Sequence, residues 1–212
     1  MVKSIFGRKI GMTQIFDENG KIVPVTVVAA GPCTVVQVKT KEKDGYSAIQ
    51  VGLDEQKPQR VTKPLLGQFT KGNVKPFKVL REIRLDQDGE AYNVGQVLGA
   101  DVLKDVKWVD VIGTSKGKGY QGVVKRHGVT GGRNTHGSMF HRAPGSIGAS
   151  SDPSRVLKGL KMPGQMGNAR VTALKLQLVK VDPEKNLLLI RGAVPGANSE
   201  LVCVRASNRG GK

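Results

Sequence analysis

Residues 113–170 restrict this chain more than any other feature, because a run of 58 positions here cannot build a core of its own. It holds ten Lys and Arg against one acid, Asp152, and 13 of the chain's 28 glycines. No apolar periodicity persists through it. Such a segment buries too little apolar surface to offset the entropy of being ordered. A structureless loop of this length is out of place inside an ordinary domain. An external surface must therefore order it, and a net charge of +9 requires that surface to be anionic.

The flanks read differently. Residues 1–112 carry 17 basic and 13 acidic side chains, and residues 171–212 carry seven and three, so each flank is net +4. Short β-branched runs recur at Val23 to Val28, Thr34 to Thr40, Tyr46 to Leu53, Val79 to Leu85 and Val106 to Ile112. They recur again at Val171 to Val181, Leu187 to Arg191 and Leu201 to Arg205. Several alternate with the two-residue period of a half-buried strand. Val36 and Val38 oppose Gln37 and Lys39, and Leu174, Leu176 and Leu178 oppose Lys175 and Gln177. The phase then slips at Val179–Lys180–Val181, as it would at a bulge or at a strand moving between layers. Turns are expected at Asp17 to Gly20, Asp44–Gly45 and Asp86 to Gly89, and short helices near Lys63 to Lys71 and Gly119 to Arg126.

The expected fold is mainly β: a closed or nearly closed antiparallel barrel with a few short helices and a long, glycine-rich, basic internal extension. Residues 1–112 and 171–212 together form the barrel domain, with a partly helical insertion around 58–95. Residues 113–170 form the extension.

A formal charge of +17 and a pI near 10.1 point to polyanionic partners. Membrane insertion is not expected, since runs such as Val25 to Ala30 fall far short of the ~20 apolar residues a spanning helix needs. Nor does Met1 to Ile10 read as a secretory signal. Cys33 and Cys203 are too few for a disulfide framework or a four-cysteine zinc site, and their apolar surroundings suit small hydrophobes in a reducing cytoplasm. No metal, cofactor or small-molecule substrate is expected.

Gly117-Lys118-Gly119-Tyr120-Gln121-Gly122 satisfies the dinucleotide pattern G-x-G-x-x-G. The rest of that motif is missing: Gly128 leaves no room for a full helix, and no acid lies between Gly113 and Ser151 to hold a ribose. His127, His136 and His141 lack both helical spacing and a nearby carboxylate or thiolate, so RNA contact suits His136 and His141 better than metal binding. Gly-x-Ser-x-Gly is absent and acids are scarce, so an enzyme is not expected.

Several runs together resemble one family. They are Gly7-Arg8-Lys9-Ile10-Gly11-Met12-Thr13, Pro24-Val25-Thr26-Val27, and Gly113-Thr114-Ser115-Lys116-Gly117-Lys118-Gly119. Thr135-His136-Gly137, His141 to Gly148, Met162 to Asn168 and Asn186 to Gly196 follow in order. The chain resembles the universally distributed large-subunit ribosomal protein family numbered three, in its bacterial form. The resemblance implies a translation-protein-type barrel at the ribosome surface and an extension reaching through ribosomal RNA towards the peptidyl-transferase region. It also implies a role in subunit assembly, neighbouring ribosomal proteins as partners, and amide methylation at Gln165. On that reading Lys116, Lys118, Lys125, Arg126, Arg133, Arg142, Arg155, Lys158, Lys161 and Arg170 contact phosphates, with Arg8 and Lys9 as second-rank candidates. The extension tip is expected around Ala149 to Ser154. The competing readings are a free RNA chaperone or assembly factor, and a nucleotide-dependent enzyme using the Gly117 to Gly122 loop.

Overall fold

Alternating β-branched side chains bury one face of a strand, and this chain solves the problem with two sheets sharing a core. The computed structural model describes residues 3–85 and 92–209; the turn expected at 86–89 lies outside them. The first half of the strands are β1 (Ser4–Phe16), β2 (Ile22–Ala30), β3 (Cys33–Lys39), β4 (Ala48–Glu55), β5 (Phe77–Arg84) and β6 (Val97–Leu98). Then come β7 (Trp108–Thr114), β8 (Gly119–Gln121), β9 (Gly164–Met166), β10 (Arg170–Asp182), β11 (Leu187–Arg191) and β12 (Leu201–Ala206). The helices are α1 (Lys41–Asp44), α2 (Lys63–Lys71) and α3 (Val123–His127).

The chain divides into two compact units, residues 1–114 with 170–212, and residues 115–169. In the first, six strands close a barrel in the order β1-β12-β7-β10-β11-β2, every neighbouring pair antiparallel. The other strands of this unit form a separate antiparallel sheet, β5-β4-β3-β6. Ile5, Val28, Val109, Val111, Leu188, Ile190 and Val204 from the barrel meet Val35, Ile49, Val51 and Leu98 from that sheet in one apolar cluster. Each fully buried Ile, Leu or Val contributes about 1.5–3 kcal/mol. A smaller cluster joins Val36 to Phe69 of α2 and Phe77, whose rings meet edge to face at 6.3 Å.

Three readings from the sequence need correction. β1 is a 13-residue strand that alternation did not reveal, because its register shifts between Lys9 and Gly11 and breaks the period. Leu174 does not share a buried face with Leu176 and Leu178. Lys175 has φ of 52°, the pairing with β7 slips between Ala173 and Leu176, and Leu174 is left 44% exposed. Gly119–Gln121 is a strand and not the start of a helix, which begins only at Val123. The expected slip near Lys180 is present, as a register shift between Leu178 and Lys180, and α2 spans the residues expected of it.

Buried polar groups in this unit are satisfied internally. The Thr26 hydroxyl donates to the Gly192 carbonyl at 2.6 Å. Asp110 is 3% exposed; its carboxylate accepts the Lys175 N–H at 3.0 Å and a guanidinium N–H of Arg205 at 3.3 Å. Burial works to raise its pKa, but these bonds and one from Ser207 outweigh it and hold the carboxyl below its usual value. Burial pushes the thiols of Cys33 and Cys203 up to about 11, so both stay protonated at neutral pH.

Candidate nucleic-acid interface

The second unit, residues 115–169, has a built stem and a long irregular remainder. In the stem, β8 and β9 pair antiparallel with Tyr120 opposite Gln165. Backbone bonds extend the ladder: Ser115 N–H to Ala169 O at 2.9 Å, Asn168 N–H to Ser115 O at 3.0 Å, and Lys118 N–H to Met166 O at 2.9 Å. Gly167 sits at φ of 73°, and a Cβ there would lie 2.1 Å from the Lys116 carbonyl oxygen, so only glycine lets the two chains approach this closely. The single turn of α3 adds Val123, the one buried side chain among residues 115–169. Arg126 donates to the Met162 carbonyl at 2.6 Å, and the His127 ring nitrogen lies 3.1 Å from the same oxygen.

Residues 128–163 contain no helix or strand. A small closed loop is held where Gly132 N–H donates to His141 O at 2.9 Å and the His141 ring lies 2.9 Å from Arg133 O. A Cβ on Gly132 would sit 1.9 Å from the Phe140 carbonyl oxygen, so the crossing demands glycine. His136 stands at that loop's turn with φ of 59°. Residues 151–153 form a turn within the stretch expected to be the tip.

Lys116, Lys118, Lys125, Arg133, His136, His141, Arg142, Arg155, Lys158 and Lys161 are all exposed, while Arg126 is half-buried by its bond to Met162. Among the described residues, no cation of residues 115–169 pairs with a carboxylate. Nor does any group of three His, Cys, Asp or Glu lie close enough to hold a metal ion.

Arg170, the first residue of β10, is exposed and belongs to the barrel unit. Arg8 and Lys9 belong there too, and they are engaged. Lys9 is 8% exposed, with its ammonium donating to the carbonyls of Val194 at 2.9 Å and Gly196 at 3.1 Å. Arg8 donates to Asp54 at 2.8 Å and to the Ser199 carbonyl. Lys9 is therefore a structural cation, not a surface one, and this is a correction. A lysine between glycines looks like surface until the strand that buries it is known.

Charge drew attention to the cations and passed over the exposed apolar side chains. Tyr120 is 74% exposed, Met139 99% and Phe140 44%. The signal was present, since each lies in a segment with no apolar partners to cover it. No helix among the described residues is long and apolar enough to cross a membrane.

Comparison with known proteins assigns the chain. A model of the family described as ribosomal protein L3 matches residues 82–186, which take in the whole second unit. The large ribosomal subunit protein uL3 of Geobacter sulfurreducens is 56% identical over 205 residues, covering 97% of each chain. The proteins of the same description from Corynebacterium jeikeium and Syntrophus aciditrophicus are 54% and 53% identical, over 211 and 207 residues. The first match covers 99% of this chain and 96% of the relative, the second 98% and 94%. With a closed barrel, an uncompensated basic segment and relatives of matching length, the chain belongs to the ribosomal protein L3 family, whose members are ribosomal proteins and not enzymes.

Proposed function

We propose that this chain is a structural constituent of the large ribosomal subunit in the cytoplasm, bound to ribosomal RNA chiefly through residues 113–170. One observation carries the reading: a segment with one buried side chain and no acid pairing its cations, among the described residues. Lys116, Lys118, Lys125, Arg133, Arg142, Arg155, Lys158, Lys161 and Arg170 contact phosphates, and Arg126 contributes through the donors that Met162 leaves open. His136, His141, Tyr120 and Phe140 offer rings on which unpaired bases can stack. Such contacts set position and read RNA shape more than sequence.

The resemblance further supports subunit assembly, neighbouring ribosomal proteins as partners, and buttressing of RNA near the peptidyl-transferase region. Gln165 is exposed on β9, where an enzyme can reach its amide. Intact-mass measurement of the native protein and its peptides would reveal one added methyl group at Gln165 if it is modified. The test of the main reading is co-sedimentation with large subunits through a high-salt wash. The protein should remain with the particle; quantitative release would mark it as a visiting assembly factor.

A further inference from the structure

The barrel unit has a basic cleft of its own. It encloses about 700 Å³, with walls supplied by β5 of the four-stranded sheet and by β1, β7, β10 and β12 of the barrel. Five cations line it, Lys3, Arg81, Arg84, Arg170 and Arg205, against two acids, Glu82 and Glu200. Glu82 is already engaged: it pairs with Lys39 at 2.6 Å and accepts the Tyr46 hydroxyl at 2.9 Å.

The cations are largely uncommitted. Among the described residues the side chains of Lys3 and Arg170 make no hydrogen bond or ion pair, and Arg81 donates to the carbonyl of its neighbour Leu80. Arg84 lies 5.1 Å over the Tyr46 ring, a contact that leaves its N–H donors open. Arg205 gives one nitrogen to Asp110 and keeps the others. All five are exposed. Gathering like charges in a concave wall raises the potential there and destabilises the fold by repulsion, until an anion fills the space.

We propose that this cleft is a second ribosomal-RNA site, which grips the phosphate backbone. Four of the five cations are arginines, whose planar forks match phosphate oxygens two bonds at a time. The lining aromatic, Phe6, is only 9% exposed, so the cleft presents no ring on which a base could stack. Thr114 and Arg170 line it too and pair with each other where the chain leaves and re-enters the barrel unit. The proposal rests on the chain being an RNA-binding protein, but not on which residues of the extension bind.

The test measures affinity of the full chain for large-subunit RNA across a range of salt. Three charge-matched variants are compared: Lys3→Gln/Arg81→Gln in the cleft, Arg133→Gln/Arg142→Gln in the extension, and Lys21→Gln/Lys104→Gln on exposed barrel surface outside the cleft. Each should keep the parent's circular dichroism, since all six side chains are exposed. Losing two phosphate contacts should make the salt slope shallower by about 1.4–1.8 for the cleft pair, with the control pair unchanged. A cleft pair indistinguishable from the control overturns the proposal. A change confined to the extension pair sinks the cleft alone, and one confined to the cleft pair sinks the extension reading alone. Should the cleft pair leave RNA binding intact but abolish retention of polyglutamate, the cleft takes an acidic protein segment and the proposal is wrong.

Discussion

Lys9 and Lys116 are the same side chain placed between or beside glycines, and the two units use them in opposite ways. In the barrel unit Lys9 is enclosed and its ammonium is divided between two carbonyls, while Arg8 pairs with Asp54. In the second unit Lys116 and, apart from half-buried Arg126, the Lys and Arg after it stand exposed, with no carboxylate partner among the described residues. The difference teaches that basic residues mark a polyanion site only where the fold declines to neutralise them. Composition locates positive charge; burial and pairing decide whether that charge is available.

The contrast breaks most visibly if the irregular segment is removed. Replacing residues 129–160 with a short Gly-Ser linker is feasible, because Arg126 and His127 already touch Met162 across the gap. That deletion removes Arg133, Arg142, Arg155 and Lys158, so the salt slope of RNA binding should fall by about three. Circular dichroism and the melting transition of the barrel should hardly change; loss of the fold would mean the segment belongs to the core.

Core truncation should do the reverse. Ile190→Ala, at a fully buried barrel position, should cost about 2–5 kcal/mol in urea unfolding. Leu157→Ala, at a side chain 57% exposed in the irregular segment, should stay within about 0.5 kcal/mol. Asp110 sharpens the electrostatic half of the comparison. Its folded pKa is depressed, so its stabilisation is fully present above the unfolded carboxylate value and is lost as pH falls through the folded one. Asp110→Asn should cost about 2 kcal/mol at neutral pH, with the difference from the parent shrinking in acid. The smallest effect on the barrel should come from Gly132→Ala: an unchanged melting temperature, but poorer incorporation into subunits, because the loop crossing at Phe140 cannot accept a Cβ.

Much of the barrel was legible, and the misses have physical causes. β11 and α2 coincide with their expected spans because a short continuous apolar run and a helix-compatible run fell between turn residues. β1 was hidden by its own bulge and by two glycines, and β8 and β9 are three residues each, too short for any period to declare itself. Alternation also says which face of a strand is buried but not which strand lies beside it. Nothing in Cys33–Lys39 or Ala48–Glu55 announced a second sheet instead of further barrel staves. For the interface, the excess charge of residues 113–170 was plain. The stem that carries part of it was not, since it depends on Gly167 passing the Lys116 carbonyl far along the chain. The cleft lined by Lys3, Arg81 and Arg205 was equally hidden, because its residues converge only through sheet pairing.

Amide hydrogen exchange on the RNA-free protein tests the division between the two units most directly. Amides of β2, β7, β11 and β12 should exchange only through global unfolding, while residues 129–161 exchange within the dead time and gain protection once large-subunit RNA is added. Protection of residues 129–161 equal to that of the strands, before any RNA is present, would contradict it.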